Sequence, residues 1–224
     1  AALDATRLAG VETNLHWLRQ VARSQAFTSG EVSTRALAEI AYTPRTFRVL
    51  SGGPSTTVQD YPGRLGYWDV GVPPSGPMDG LAFRLGNRLV GNPEGAAGLE
   101  ITALGPTLAF NHDAIVCLTG AELEASLDGA PISAYAPIQV REGQVLKLGR
   151  IRGAGLRAYL LVHGGLDVPA YLGSRSSFTL GGFGGHAGRA LAAGDVLHIG
   201  HAVGDPEPLL DPELRPHLTK AWTV

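Results

Sequence analysis

The sequence predicts a mainly β domain of barrel type with one covering helix, preceded by a short helical segment. Three observations predict it. Short β-prone runs recur from residue 46 to residue 199, each bounded by glycine, proline or aspartate. Glycine fills 31 of the 224 positions, against a usual share of about 7%, and it falls in turns and motifs instead of low-complexity runs. Before Pro44 the texture differs, with apolar residues at helical spacing.

Within residues 1–41, Val11, Leu15, Leu18 and Ala22 fall at i, i+4, i+7 and i+11, one apolar face of an amphipathic helix. Gly30 interrupts, and Ser33 is placed to cap a second short helix that turns Ala36, Leu37 and Ile40 inward. Helices this short need a surface to pack on. Residues 46–50 open the β region, and further strands are expected at 99–103, 107–110, 114–119, 123–127, 137–141, 144–149, 156–162 and 195–199. Leu123, Ala125 and Leu127 alternate with Glu124, Ser126 and Asp128, the period-two mark of a half-buried strand, and Asp128-Gly129 then supplies a turn. The run Gly143-Gln144-Val145-Leu146-Lys147-Leu148-Gly149 echoes Gly194-Asp195-Val196-Leu197-His198-Ile199-Gly200, which predicts two equivalent hairpin strands. One helix breaks this region near 79–90. Asp79 is its N-cap, Leu81, Leu85 and Leu89 run along one face, and Gly91 fits the C′ position before Asn92-Pro93. The tail after His201 is rich in proline and charge and is expected to be poorly ordered.

Composition removes several classes of function. Eighteen basic against 20 acidic residues leave a formal charge of −2, with no electrostatic footprint for nucleic acid or an anionic membrane surface. No run approaches the roughly 18 apolar residues of a membrane span, and the first residues lack a signal-peptide pattern. The single cysteine, Cys117, lies in the apolar run 114–118 and reads as a buried, inert thiol. These features fit a cytoplasmic protein. His16, His112, His163, His198, His201 and His217 show no metal-ligand spacing.

One stretch is far more specific. Residues 56–68, Thr-Thr-Val-Gln-Asp-Tyr-Pro-Gly-Arg-Leu-Gly-Tyr-Trp, continue through Gly71-Val72-Pro73-Pro74-Ser75-Gly76-Pro77-Met78-Asp79. Supporting segments are Leu99-Glu100-Ile101-Thr102, Gly120-Ala121, Tyr171-Leu172-Gly173-Ser174-Arg175-Ser176 and the glycine-rich run 181–189. Together they resemble the carboxyltransferase domain of the urea carboxylase and urea amidolyase family, and the related allophanate hydrolase subunit 2 or KipA-type proteins. The flank from Gly10 through Leu15 to Phe27 and Gly30 is similar to the last helices of a biotin-carboxylase domain. The resemblance implies a cyclophilin-like β-barrel at 46–203, biotin-carboxylase helices at 1–45, and a linker or tail at 204–224. It implies transfer of a carboxyl group from carboxybiotin to urea or guanidine, with allophanate as the product from urea. Biotin would ride on a carrier domain outside these residues. ATP and Mg would serve the rest of the biotin-carboxylase domain. The partners implied are that carrier and a second carboxyltransferase half, with no nucleic acid and no membrane. The chain by itself is expected to be inactive.

Such chemistry needs acceptors for urea N–H groups and donors where charge develops on the biotin ureido oxygen. The expected catalytic set is Asp60, Arg64, Ser75, Asp79 and Glu100. The expected cofactor-binding set is Gly182, Gly185, His186 and Arg189, with no metal. Structural roles compete at each position. Asp79 reads equally as a helix cap, Arg64 as a partner of Asp60 or Asp69, Glu100 as a surface carboxylate, and His186 as a structural histidine. Tyr67 and Trp68 read as core. The glycine run lacks the strand and Gly-Lys-Ser/Thr of a phosphate loop, so it reads as close backbone approach or tight turns. Two other functions stay open, a biotin-independent subunit of a 5-oxoprolinase-type assembly and a non-catalytic binding module.

Overall fold

A computed structural model describes residues 2–6, 8, 11–30, 33, 35–207 and 210–221. Four short helices come first, α1 (Ala2–Ala5), α2 (Leu15–Arg23), α3 (Gln25–Thr28) and α4 (Ala36–Glu39). They are followed by β1 (Thr46–Ser51), β2 (Thr56–Gln59), α5 (Gly80–Leu89), β3 (Gly98–Thr102), β4 (Thr107–Phe110) and β5 (Ala114–Gly120). The chain continues through β6 (Leu123–Leu127), β7 (Ala130–Pro131), β8 (Ile138–Val140), β9 (Val145–Ile151), β10 (Arg157–Val162) and β11 (Val196–His198).

The strands form two antiparallel sheets, in the orders β11-β1-β4-β9-β6-β7 and β2-β3-β10-β5-β8. The barrel-like body arises because the two sheets face each other across one core. Phe47, Val49, Leu108, Phe110, Leu146 and Leu148 project into it from the first sheet, and Val58, Leu99, Ile101, Leu118 and Leu160 from the second. In β10 the opposite face is buried too, because Tyr159 and Leu161 pack with Cys117 against Ala82 and Phe83 of α5. A strand covered on both sides reads as a continuous apolar run instead of an alternating one. β6 keeps the alternation that marks a half-exposed strand.

The local signals behave as turn chemistry requires. Asp128 and Gly129 both take positive φ, 48° and 85°, and β6 pairs with β7 across that two-residue turn. The repeated heptapeptide is a repeated turn. Gly143 N–H donates to Phe110 O, and Phe110 N–H donates to Gln144 O. Gly194 and Asp195 make the same pair of bonds with Val49. In each, the side chain that follows the glycine accepts a backbone N–H three residues back, Gln144 from Arg141 and Asp195 from Ala192.

Several expectations are corrected. The strands expected from sequence lack β2, which is buried at all four positions, and the two-residue β7. α5 begins at its Asp79 cap as expected, but Leu81 is 55% exposed. The buried stripe is Ala82, Phe83, Gly86 and Leu89, because glycine at 86 lets the helix approach Leu161, whose Cδ2 lies 2.3 Å from where a Cβ would sit. Leu81 and Leu85 stand out by size, whereas close packing selects the small residues. Val11 precedes α2 and is 68% exposed, and Leu15 and Val21 are that helix's buried pair. Ser33 does not cap α4, which starts after Arg35, and Leu37 faces solvent. The side chain of Ala36 and residue Gly10 lie outside the described residues. Trp68 is 70% exposed instead of core. The tail lies along the barrel, where Glu207 N–H donates to Leu89 O, Leu210 N–H donates to Tyr135 O, and Arg215 stacks over the Tyr135 ring.

Burial pushes the Cys117 thiol up to about 12, far from thiolate formation at neutral pH. A disulfide-exchange reagent at pH 8 should therefore leave the native chain unlabelled and titrate one thiol after denaturation. Rapid labelling of the folded chain would contradict this packing of β5 against α5.

Candidate functional site

The segment after β2 folds back on itself. Arg64 N–H donates to Ser75 O at 3.1 Å and Ser75 N–H to Arg64 O at 3.2 Å. Gly63 permits the crossing: its φ is +88°, and a Cβ there would lie 1.7 Å from Ser75 O. The Arg64 side chain then enters the interior at 1% exposure. Its Nε donates to Tyr171 O (3.1 Å), Nη1 to Ser75 Oγ (2.8 Å), and Nη2 to Ser176 O (2.9 Å) and Ser174 O (3.5 Å). The Phe183 ring lies 5.0 Å from the guanidinium carbon. Burial lowers the guanidinium's affinity for its proton and Asp60 opposes that, so the group stays charged.

Asp60 grips the same loop from the other side. Its carboxylate accepts from Ser174 Oγ (2.5 Å), Ser176 Oγ (2.7 Å) and Arg175 N–H (2.7 Å). The serines of the 171–176 segment are thus turned inward as partners of one buried carboxylate. Gly184 and Gly185 close the cluster. A Cβ on Gly184 would meet Ser176 O at 2.2 Å, and one on Gly185 would meet Ser177 Oγ at 1.9 Å. The Ser177 hydroxyl is buried without a hydrogen-bond partner.

A second polar group lies on the outer face of the sheet containing β3 and β10. Glu100 and Tyr159 are paired across these strands. Glu100 Oε2 accepts from Tyr159 Oη at 3.0 Å and from Met78 N–H at 2.8 Å. Tyr159 Oη accepts from Asp79 N–H at 2.7 Å, while Asp79 Oδ1 accepts from Ala82 N–H at 3.0 Å as the cap of α5. Burial, then the neighbouring Glu100, raises the Tyr159 phenol well above its ordinary value, so it remains a donor. Arg157 Nε is buried without a hydrogen bond and lies 3.5 Å from Glu100 Oε1.

The expected residues therefore fall into three groups. Asp60, Arg64 and Ser75 share one cluster with the backbone around Gly185. Asp79 and Glu100 are joined through Tyr159 and Met78. His186 and Arg189 meet at Asp195, which Arg189 holds with bonds of 2.7 and 2.8 Å and His186 approaches at 3.5 Å. Asp195 stays below its usual range because these hydrogen bonds outweigh its burial. Gly182 lies at the turn closed by the Phe178–Phe183 bridge, with no atom near a hypothetical Cβ. A cavity of about 900 Å³ opens elsewhere, between α2 and the barrel, and none of the nine residues lines it. Sequence reasoning missed Arg157, Tyr159, Ser174, Ser176 and Asp195. Only the serines carried a signal, as polar residues crowded into a motif. Among the described residues no group of three or more His, Cys, Asp or Glu side chains is placed to hold a metal, and no helix is long and apolar enough to cross a membrane.

This two-sheet body with its buried Asp60–Arg64 clamp belongs to the carboxyltransferase domain family, subdomains A and B, which matches residues 70–224. Within that family the chain is 44% identical to the urea amidolyase of Lachancea kluyveri over 234 aligned positions, covering 100% of this chain and 13% of that protein. The crystal structure of the Kluyveromyces lactis urea carboxylase superposes with a TM-score of 0.84 at 44% identity, over 98% of this chain and 20% of that one. A 5-oxoprolinase subunit from Haemophilus influenzae is 44% identical over 141 residues, 63% of this chain and 45% of that protein.

Two measurements check the geometry. Asp60→Ala leaves two hydroxyls and a backbone N–H without their acceptor and should cost about 3 kcal/mol or more in denaturant unfolding. A loss under about 0.5 kcal/mol, the size expected of an ordinary surface change, would deny the clamp. His186 is held below its ordinary value of 6.5 by burial, against the opposing pull of Asp195. Its folded form favours the neutral ring, so the stability it contributes is present above the unfolded value and is lost as pH falls towards the folded one. The denaturation midpoint should therefore drop on acidification below 6.5, and less steeply in His186→Asn. An equal slope in both proteins would contradict the assignment.

Proposed function

We propose that residues 46–203 are the first half of a carboxyltransferase domain, that residues 1–45 close a biotin-carboxylase domain, and that 204–224 lead onward. The parent enzyme would carboxylate urea to allophanate. The observation that carries this reading is coverage. The urea amidolyase likeness extends over the whole chain, α1–α4 included, whereas the 5-oxoprolinase likeness covers 63% of it. The chain spans 13% of that amidolyase, so the carrier domain, the second carboxyltransferase half, and the ATP and Mg site belong to the reading of the parent. A cytoplasmic setting is part of the same reading, and guanidine is the competing substrate.

Biotin, when bound, supplies a carboxyl group already activated for transfer. The four residues expected to hold it do not fit as a donor set. Arg189 and His186 are engaged by Asp195, Gly185 is packed against Ser177, and Gly182 alone leaves its backbone open. No step is derived through them. The substrate side fits better. Glu100 Oε1 has no hydrogen bond and Arg157 Nε has none, and they lie 3.5 Å apart. An acceptor beside a donor matches the N–H and C=O edge of urea. Asp79 shapes this place through its backbone and through the start of α5. Asp60, Arg64 and Ser75 act as positioning residues, because their polar atoms are turned onto the 171–176 segment.

The test uses the full-length parent protein. Urea with bicarbonate and ATP should support turnover and 5-oxoproline should not. Arg64→Ala should lower urea carboxylation about 100-fold through misplacement of the site, while bicarbonate-dependent ATP cleavage continues. Turnover with 5-oxoproline alone, or a folded Arg64→Ala enzyme with unchanged transfer, would overturn the reading.

A further inference from the structure

The cavity of about 900 Å³ between α2 and the barrel takes no part in the carboxyl-transfer reading. Its volume is that of a small-molecule site. Its walls come from α2, from residues 40–45, and from the barrel segments 167–170 and 198–201. Arginine dominates the polar lining, at Arg19, Arg23, Arg45 and Arg175.

These four charges are not equally compensated. Arg23 pairs with Asp4 at 2.5 Å. Arg19 donates only to the neutral carbonyls of Leu3 (3.0 Å) and Thr6 (2.7 Å), and Arg175 Nε donates to Val168 O at 3.0 Å. Arg45 is half-buried, and among the described residues its side chain makes no hydrogen bond and no ion pair. The remaining carboxylate on the wall, Asp167, lies 4.0 Å from His16 and pairs with no arginine. Tyr42, three residues before Arg45 on the same segment, lines the cavity, and its buried hydroxyl has no hydrogen-bond partner. Burial raises that phenol above its ordinary value, which leaves it a donor.

A buried donor without an acceptor is unfavourable, and arginines without carboxylates present N–H forks that match the geometry of an oxyanion. We infer that this cavity binds a small multivalent oxyanion, a phosphate or a polycarboxylate, through Arg45, Arg175 and Tyr42. His16 and His198, stacked on the same wall with ring centroids 3.8 Å apart, add donors at its edge. The ligand would bridge α2 and the barrel, and so set how firmly the helices are held against it. The inference is independent of the carboxyl-transfer reading.

The test is a thermal-shift and calorimetric titration of the 224-residue chain with inorganic phosphate and, separately, with citrate, against sodium chloride of matched ionic strength. Saturable binding of either anion is expected. Phosphate alone identifies a phosphoryl ligand, and citrate alone identifies a carboxylate. The double variant Arg45→Gln/Tyr42→Phe removes groups without partners, so it should fold with an unchanged melting temperature in chloride. It should bind the anion about tenfold more weakly or worse. No saturable binding of either anion, or an unchanged dissociation constant in the double variant, would overturn the site.

Discussion

A guanidinium at 1% exposure is tolerable only where neighbouring oxygens replace the water it has lost. Arg64 meets that condition with three backbone carbonyls and a serine hydroxyl, and with Asp60 close enough to oppose the effect of burial. Those bonds tie the 60–79 loop to residues 171–176, a separation of 107 to 112 positions. The same strap then runs along β2, whose outer edge it covers through Ser177 N–H to Val58 O and Leu191 N–H to Thr56 O. A sheet edge covered in this way is protected from pairing with another chain. Removing the guanidinium would loosen the loop, the strap and the sheet edge together. Substituting a lysine would keep the charge but not the fork that reaches four acceptors.

The strands are legible in the sequence because their signals are local. Turn residues at Asp128-Gly129 and the two Gly-x-Val-Leu repeats act within a few positions, and a half-buried strand such as β6 displays its period directly. The errors arise where burial depends on a distant partner. α5 hides its small residues because Leu161 and Thr119 of the sheet approach Gly86, and nothing within residues 79–90 announces that approach. Leu15 and Val21 are the buried pair of α2, so the helical face that spacing alone suggests is displaced from the real one.

The candidate site is legible as a set of residues but not as a set of roles. The motif brings Asp60, Arg64, Ser75 and Asp79 to notice together, and the fold does gather the first three. Their partners, Ser174 and Ser176, are separated from Asp60 by 114 and 116 positions, and no spacing rule reaches that far. Arg157 escapes notice because a lone arginine at a strand start carries no signal until its neighbour on β3 is known. His186 and Arg189 resemble ligand groups because a glycine-rich run suggests backbone approach to a ligand. The approach is real, but it is the protein's own chain that comes close: Gly184 and Gly185 admit Ser176 and Ser177.

Hydrogen-bond capacity is what separates the two kinds of role. A guanidinium offers five N–H donors, and Arg64 places bonds from all three nitrogens inside the fold, so it can hold a wall but has little left for a substrate. The Asp60 carboxylate is in the same position, with both oxygens accepting from the 174–176 segment. Glu100 differs. Both of its hydrogen bonds converge on Oε2, from Met78 N–H and from Tyr159 Oη, which fixes the carboxylate plane and leaves Oε1 towards Arg157. A carboxylate immobilised through one oxygen and open at the other is oriented before any ligand arrives, which lowers the entropy lost on binding. The roles therefore follow from which oxygens and nitrogens the fold has already engaged. The most buried and most connected residues of the motif build the site, and the ligand-facing work falls to a glutamate and an arginine on neighbouring strands.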